Sequence, residues 1–227
     1  MNEDEARAWM ERMKSTEPLH PDLVPHLYET DVIGTVLKHP LVFSVPYMGP
    51  GHSNLMYEQK TLALEQALRE EEWHTYVFLH ERPHRIEALV EIQQHLSDRD
   101  YWELVGRVWT DSENIHQCLD EWSTLLNSHR KYRRHIMSAD ERRELRAMPE
   151  VIAIYRGCHR EQNEDGWSWT TDRAKAEWFA KRFGDGDPLV IEATVPKEHV
   201  VAYFTGRNES EIVAYSHNAD IVMYHEV

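Results

Sequence analysis

Hydrophobic and polar positions alternate with two different periods along the chain, and the change falls near residue 150. Before it the spacing is helical. Leu62, Leu64 and Leu68 recur near helical spacing and predict a helix over 57–72. Further helices are predicted over 83–95, from Ser97-Asp98-Arg99-Asp100, from Thr110-Asp111-Ser112-Glu113 and from Ser138-Ala139-Asp140-Glu141. Each of the last three places a hydroxyl three residues before a carboxylate, the spacing that satisfies free N–H groups of a first turn. The run 74–79 fits either a short strand or a helix end, and 17–50, punctuated by proline, reads as irregular. After residue 150 come short β-branched or aromatic runs at 151–155, 188–195, 200–204, 211–215 and 221–224, separated by Gly, Asp, Pro and Asn. One helix, 172–183, interrupts them. The pattern predicts an α+β chain: a mainly helical region, 1–147, serving packing or recognition of an acceptor or partner, and a compact unit dominated by antiparallel strands, 148–227.

With 227 residues the chain can bury a sizeable core unaided by metal or disulfide. Its net charge of −15 argues against a protein built to coat phosphate backbones. Nearly all of the acidic excess precedes Asn127, whereas Arg130, Lys131, Arg133, Arg134, Arg142, Arg143 and Arg146 form a basic stretch before Val151. That stretch is either a solvated helix and linker or a surface for an anionic partner, including a nucleic-acid acceptor. The acidic start and the absence of a long apolar run predict a cytoplasmic chain with no membrane partner. Cys118 and Cys158 form no disulfide framework, and the 15 histidines show no metal-ligand spacing, so no metal is expected. No Gly-x-Gly-x-x-Gly fingerprint occurs.

Chemistry concentrates in three pieces of the strand-rich region: Tyr155-Arg156-Gly157 after an apolar strand, Ser168-Trp169-Thr170 before a helix, and Glu209-Ser210-Glu211 entering another strand. An arginine on the end of an apolar strand is costly to bury unless it meets an anion or several acceptors. In this order, and with Ala176, Phe179 and Ala180 on the intervening helix, the pieces resemble the arginine–serine–glutamate class of ADP-ribosyltransferases. The resemblance covers roughly the last third of the chain. The middle motif departs from the common Ser-Thr-Ser, with tryptophan at its centre and threonine at its end.

The resemblance implies a split β-sandwich that binds NAD as substrate, cleaves its nicotinamide–ribose bond and transfers ADP-ribose to an acceptor. The alternatives within it are an NAD glycohydrolase and a binding module without turnover. It is a class met in bacterial toxins, phage proteins and regulatory enzymes. Arg156 and Gly157 would hold NAD with Ser168, Trp169 and Thr170, the arginine fork taking a phosphate or ribose oxygen. Ser168 would orient Glu211, the main catalytic group, which faces the charge developing on the ribose. Glu209, placed two residues earlier, would share its strand face and engage the acceptor. A glutamate there goes with arginine acceptors in the family, which points to a protein arginine or a small guanidino compound.

Around these pieces the residues allow several roles. Tyr203 and Phe204, before the turn at Gly206, Arg207 and Asn208, would either stack on an acceptor or pack in the core. Trp167 and Trp169 offer flat faces to nicotinamide or adenine, and Trp178, at helical spacing, is assigned to the core. Glu161, Glu164 and Asp165 make an acidic loop that faces solvent or closes on an acceptor. Thr171 or Asp172 is better placed than Ser168 to cap the following helix.

Overall fold

The computed structural model describes residues 3–113, 115–182, 186–206 and 209–227. The chain mixes helices with antiparallel sheets and divides into two compact units, Met1–Gln94 and His95–Val227. The change of pattern near residue 150 therefore lies inside the second unit, and the helices between residues 95 and 150 share that unit with the strands that follow.

In the first unit, helix α1 (Glu3–Met13) is followed by strands β1 (Leu27–Thr30), β2 (Gly34–His39) and β3 (Val42–Ser44). These form a three-stranded antiparallel sheet where the sequence suggests irregular chain, because each run is short and leaves Tyr28 and Phe43 exposed. Its inner face packs Leu37 and Val42 against Leu23 and Leu41. Helix α2 (Pro50–Arg69) extends the predicted helix towards the N-terminus. The ambiguous run at 74–79 is helical, as α3 (Trp73–Leu79), and buries Tyr76 and Val77. A short turn through Arg82–His84 precedes α4 (Arg85–Ile92), so Pro83 begins the helical region from outside its regular part.

The second unit opens with α5 (Asp98–Asp111), whose N-cap Ser97 accepts the Asp100 N–H at 3.2 Å. Its buried stripe contains Tyr101, Trp102, Leu104, Val105, Val108 and Trp109. The helix start predicted at Thr110 is instead the end of α5. The Thr110 hydroxyl donates back to the Gly106 carbonyl at 3.1 Å and that of Ser112 to Val108 at 2.7 Å, so neither caps a new helix. Helix α6 (Leu119–Leu126) follows. The basic stretch partly folds onto α5: Arg130 and Arg133 lie over the Tyr101 and Trp102 rings, with guanidinium carbons 4.7 and 5.7 Å from the ring centroids. Helix α7 (Ala139–Ala147) carries the predicted capping box, with Ser138 and Glu141 bonded reciprocally.

The remaining elements are β4 (Val151–His159), β5 (Ser168–Thr170), α8 (Arg173–Lys181), β6 (Pro188–Pro196), β7 (Ala202–Phe204), β8 (Glu211–Val213) and β9 (Asp220–Glu226). They build a sheet of order β7-β8-β5-β4-β6-β9 in which all neighbours are antiparallel. Two halves are evident within it. Strands β4, β6 and β9 pair over long registers, and β5, β8 and β7 pair with one another. A single residue pair, Tyr155 with Thr170, joins the halves. Ile152, Ile154, Trp169, Ile191, Val195, Tyr203 and Ile212 form the core beneath them. Phe183, where the sequence suggests α8 ends, lies outside the described residues. No described helix is long and apolar enough to cross a membrane.

Candidate active site

Three neighbouring strands bring the three sequence pieces together. Arg156 lies on β4, Ser168 on β5 and Glu211 on β8. The register pairs Thr170 with Glu211 and Ser168 with Val213, so Ser168 and Glu211 are diagonal neighbours. The Ser168 hydroxyl donates to Glu211 Oε1 at 2.5 Å. Glu211 is only 8 % exposed and accepts a second hydrogen bond at the same oxygen, 3.1 Å from Trp109 Nε1. Trp109 belongs to α5, far from the motifs in sequence. Amphipathicity marks it as buried, but nothing in its spacing reveals that its N–H meets this carboxylate.

Arg156 departs from the expected arrangement. The strand continues to His159, pairing Arg156 with Ile191, so the arginine sits within β4 instead of following it. Its Nη1 donates to the Ser168 carbonyl at 2.7 Å, while Nε and Nη2 donate to the Asn163 carbonyl at 3.3 and 2.8 Å. The several acceptors are thus backbone carbonyls, and the fork ties the loop between β4 and β5 to the site. Gly166 permits this: a Cβ there would stand 1.9 Å from Arg156 Nη2. Burial lowers the pKa of the guanidinium, while nearby Cys158, Glu211 and Asp165 oppose the shift. Within the same loop, Asn163 Oδ1 accepts the His159 N–H at 2.9 Å and Glu164 accepts the Glu161 N–H at 2.6 Å. These bonds give Asn163 and Glu164 roles in shaping the loop.

Gly157, Trp169 and Thr170 line the same cleft as Ser168 and Glu211 and also carry structural contacts. A Cβ on Gly157 would fall 2.0 Å from the Ala176 carbonyl oxygen, so the glycine lets α8 lie directly on β4. Thr170 is buried and its hydroxyl donates to the Glu209 carbonyl at 2.7 Å, fixing the chain that enters β8. Trp169 packs in the core with its indole N–H on the Ala214 carbonyl at 3.2 Å, which removes it as an exposed stacking face. Tyr203 and Phe204, 5 % and 3 % exposed, are core residues of β7, not an acceptor platform. The Tyr203 hydroxyl donates to Glu144 at 3.3 Å. Trp178 reverses its assignment: it is 54 % exposed, with Lys175 Nζ and Arg182 Cζ 5.7 and 5.4 Å from its ring centroid. Trp167 is half-buried, edge-on to Tyr215 with centroids 4.9 Å apart. Asp172 caps α8, accepting from Ala174 N at 2.9 Å, which leaves Ser168 to Glu211.

Glu209 precedes β8, so strand alternation does not relate it to Glu211. Between them Ser210 adopts a φ of 46°, a left-handed conformation uncommon outside glycine. Both glutamates nevertheless line one cleft of about 390 Å³. Arg156, Ser168, Trp109, Trp167, Trp178 and Arg182 contribute to its walls. The volume lies within the roughly 300–1,000 Å³ of small-molecule sites. Arg207 and Asn208, of the suggested acceptor turn, lie outside the described residues.

Cys158 is buried, and burial pushes its thiol up to about 11, away from nucleophilic use near neutrality. Among the described residues, no group of three or more His, Cys, Asp or Glu side chains is placed to hold a metal ion. Comparison with family models, curated proteins and solved structures finds no match to this chain.

Proposed function

We propose that this cleft binds NAD and breaks its nicotinamide–ribose bond, and that the protein is a mono-ADP-ribosyltransferase whose acceptor is a protein arginine. The observation that carries the reading is the Ser168–Glu211 hydrogen bond between β5 and β8, with Arg156 bonded to the Ser168 carbonyl from β4. Residues separated in sequence, in the order the resemblance requires, meet in one cleft. The split between the two halves of the sheet agrees with the architecture the resemblance implies.

Ser168 fixes the Glu211 carboxylate, which accepts a hydrogen bond from a ribose hydroxyl and faces the positive charge that develops at the anomeric carbon. As the glycosidic bond breaks, its electron pair leaves with nicotinamide, which departs neutral. An acceptor guanidinium held by Glu209 loses a proton to that carboxylate, and its nitrogen closes a new bond to the anomeric carbon. Trp167 and the rim residue Trp178 offer faces for the flat ends of the dinucleotide. Arg156 acts by holding the loop, and its positive charge stays beside the Glu211 carboxylate.

The test is nicotinamide release from labelled NAD, with and without a cell lysate supplying acceptors. Glu211→Gln should lower release by about a hundredfold or more, the scale of one preorganised electrostatic group. A labelled protein band supports transfer to protein, whereas free ADP-ribose alone replaces it with hydrolysis. No release by folded wild-type protein, with or without lysate, overturns the reading.

A further inference from the structure

We infer that Trp109 is a positioning residue for Glu211, so that helix α5 completes the active site from outside the strand-rich segment that carries the motifs. The inference rests on the NAD-cleaving reading of the cleft and adds to it a residue that none of the motifs contains.

Glu211 Oε1 receives two donors from different directions, Ser168 Oγ at 2.5 Å and Trp109 Nε1 at 3.1 Å. A carboxylate held by one donor can pivot about that bond; two donors on one oxygen fix its plane and leave its orientation set before substrate arrives. Trp109 is suited to the second role. Its indole is 1 % exposed and stacks edge-to-face on Trp122 of α6, with centroids 4.8 Å apart, so the N–H has a fixed direction. Indole nitrogen only donates, which lets it favour the ionised carboxylate without competing for a proton near neutrality. Packing alone would be served by any large apolar side chain, yet the N–H of this one is directed at the buried carboxylate of the cleft.

The decisive substitution keeps shape and removes only the donor: benzothienylalanine, with sulfur in place of the indole N–H, incorporated at position 109 of the full chain. Trp109→Phe is the simpler companion. Both should lower kcat for nicotinamide release by about tenfold, the scale of a lost hydrogen bond to a charged group, with KM for NAD little changed. The acid limb of the pH–kcat profile should move to higher pH, because the ionised carboxylate has lost a donor. Trp122→Phe, which disturbs the stack but keeps the Trp109 N–H, should lower stability and leave that limb in place.

A second arm needs no turnover. The NMR signal of the Trp109 indole N–H should move with pH in the wild type as Glu211 titrates and lose that step in Glu211→Gln. Wild-type kcat and an unmoved acid limb in the benzothienylalanine protein overturn the inference while leaving NAD cleavage intact. An indole signal whose pH response is the same in wild type and Glu211→Gln overturns it even without turnover. Absence of nicotinamide release from wild type, with the indole step present, overturns the NAD reading and keeps the positioning contact.

Discussion

The serine of the middle motif offers two uses, a helix cap or a partner for a carboxylate, and the structure separates them. Asp172 caps α8, and the Ser168 hydroxyl is directed to Glu211. Ser168→Ala therefore removes a bond to a buried acidic group without touching a helix end. Its expected effect is a fall in nicotinamide release of about tenfold, from one lost charge-assisted hydrogen bond, with the thermal unfolding midpoint close to that of wild type. A large loss of thermal stability with unchanged turnover would return Ser168 to a structural role. Arg156 shows the opposite outcome of the same reasoning. The requirement that a guanidinium on an apolar strand meet several acceptors holds, but the acceptors are the carbonyls of Asn163 and Ser168.

Among the elements, α8 and β4 depend on a single missing side chain. Gly157 meets the backbone of Ala176 and Ala180, so Gly157→Ala must push the helix away from the strand. The expected cost is about 1–3 kcal/mol, read as a lower denaturant midpoint, together with weakened substrate binding because Trp178 on α8 lines the cleft. Strands β4, β6, β7, β8 and β9 and the caps at Ser97 and Ser138 were legible because alternation, turn residues and hydroxyl–carboxylate spacing are local signals, whereas the three-residue β5 was too short to show alternation. Local signals failed where a side chain had two uses: Thr110 and Ser112 match a helix start but bond backwards inside α5. They failed again for β1 to β3, whose short, half-exposed runs carry little periodicity. At the candidate site, the structure brings together Arg156, Ser168 and Glu211, the residues that the motif order singles out. The inward turns of Tyr203 and Trp169, the outward turn of Trp178 and the reach of Trp109 are set by tertiary packing, which no spacing within one segment encodes.

At the scale of the whole chain, the net charge of −15 argues against a surface built to coat phosphate backbones. The histidines supply a separate response to acid. In the first unit His39 has its pKa lowered to about 4, chiefly by burial and then by His26; Asp22 opposes the shift, and His84 and His80 add to it. Its Nδ1 accepts the Leu41 N–H at 3.1 Å, which requires that nitrogen unprotonated. The unfolded chain takes up a proton near the ordinary value of 6.5, while the folded chain resists until about pH 4. Between those limits the unfolded state binds more protons, so the stability of this unit rises with pH through the window and is lost as pH falls through it. His39→Asn keeps a short acceptor for an N–H two residues on and cannot titrate, and should flatten this part of the dependence. Hydrogen exchange at the Leu41 amide across pH 4–7, corrected for intrinsic rates, reads the first unit directly. Protection in the wild type should weaken towards the acid end more steeply than in His39→Asn, and parallel profiles would assign the acid response to other groups.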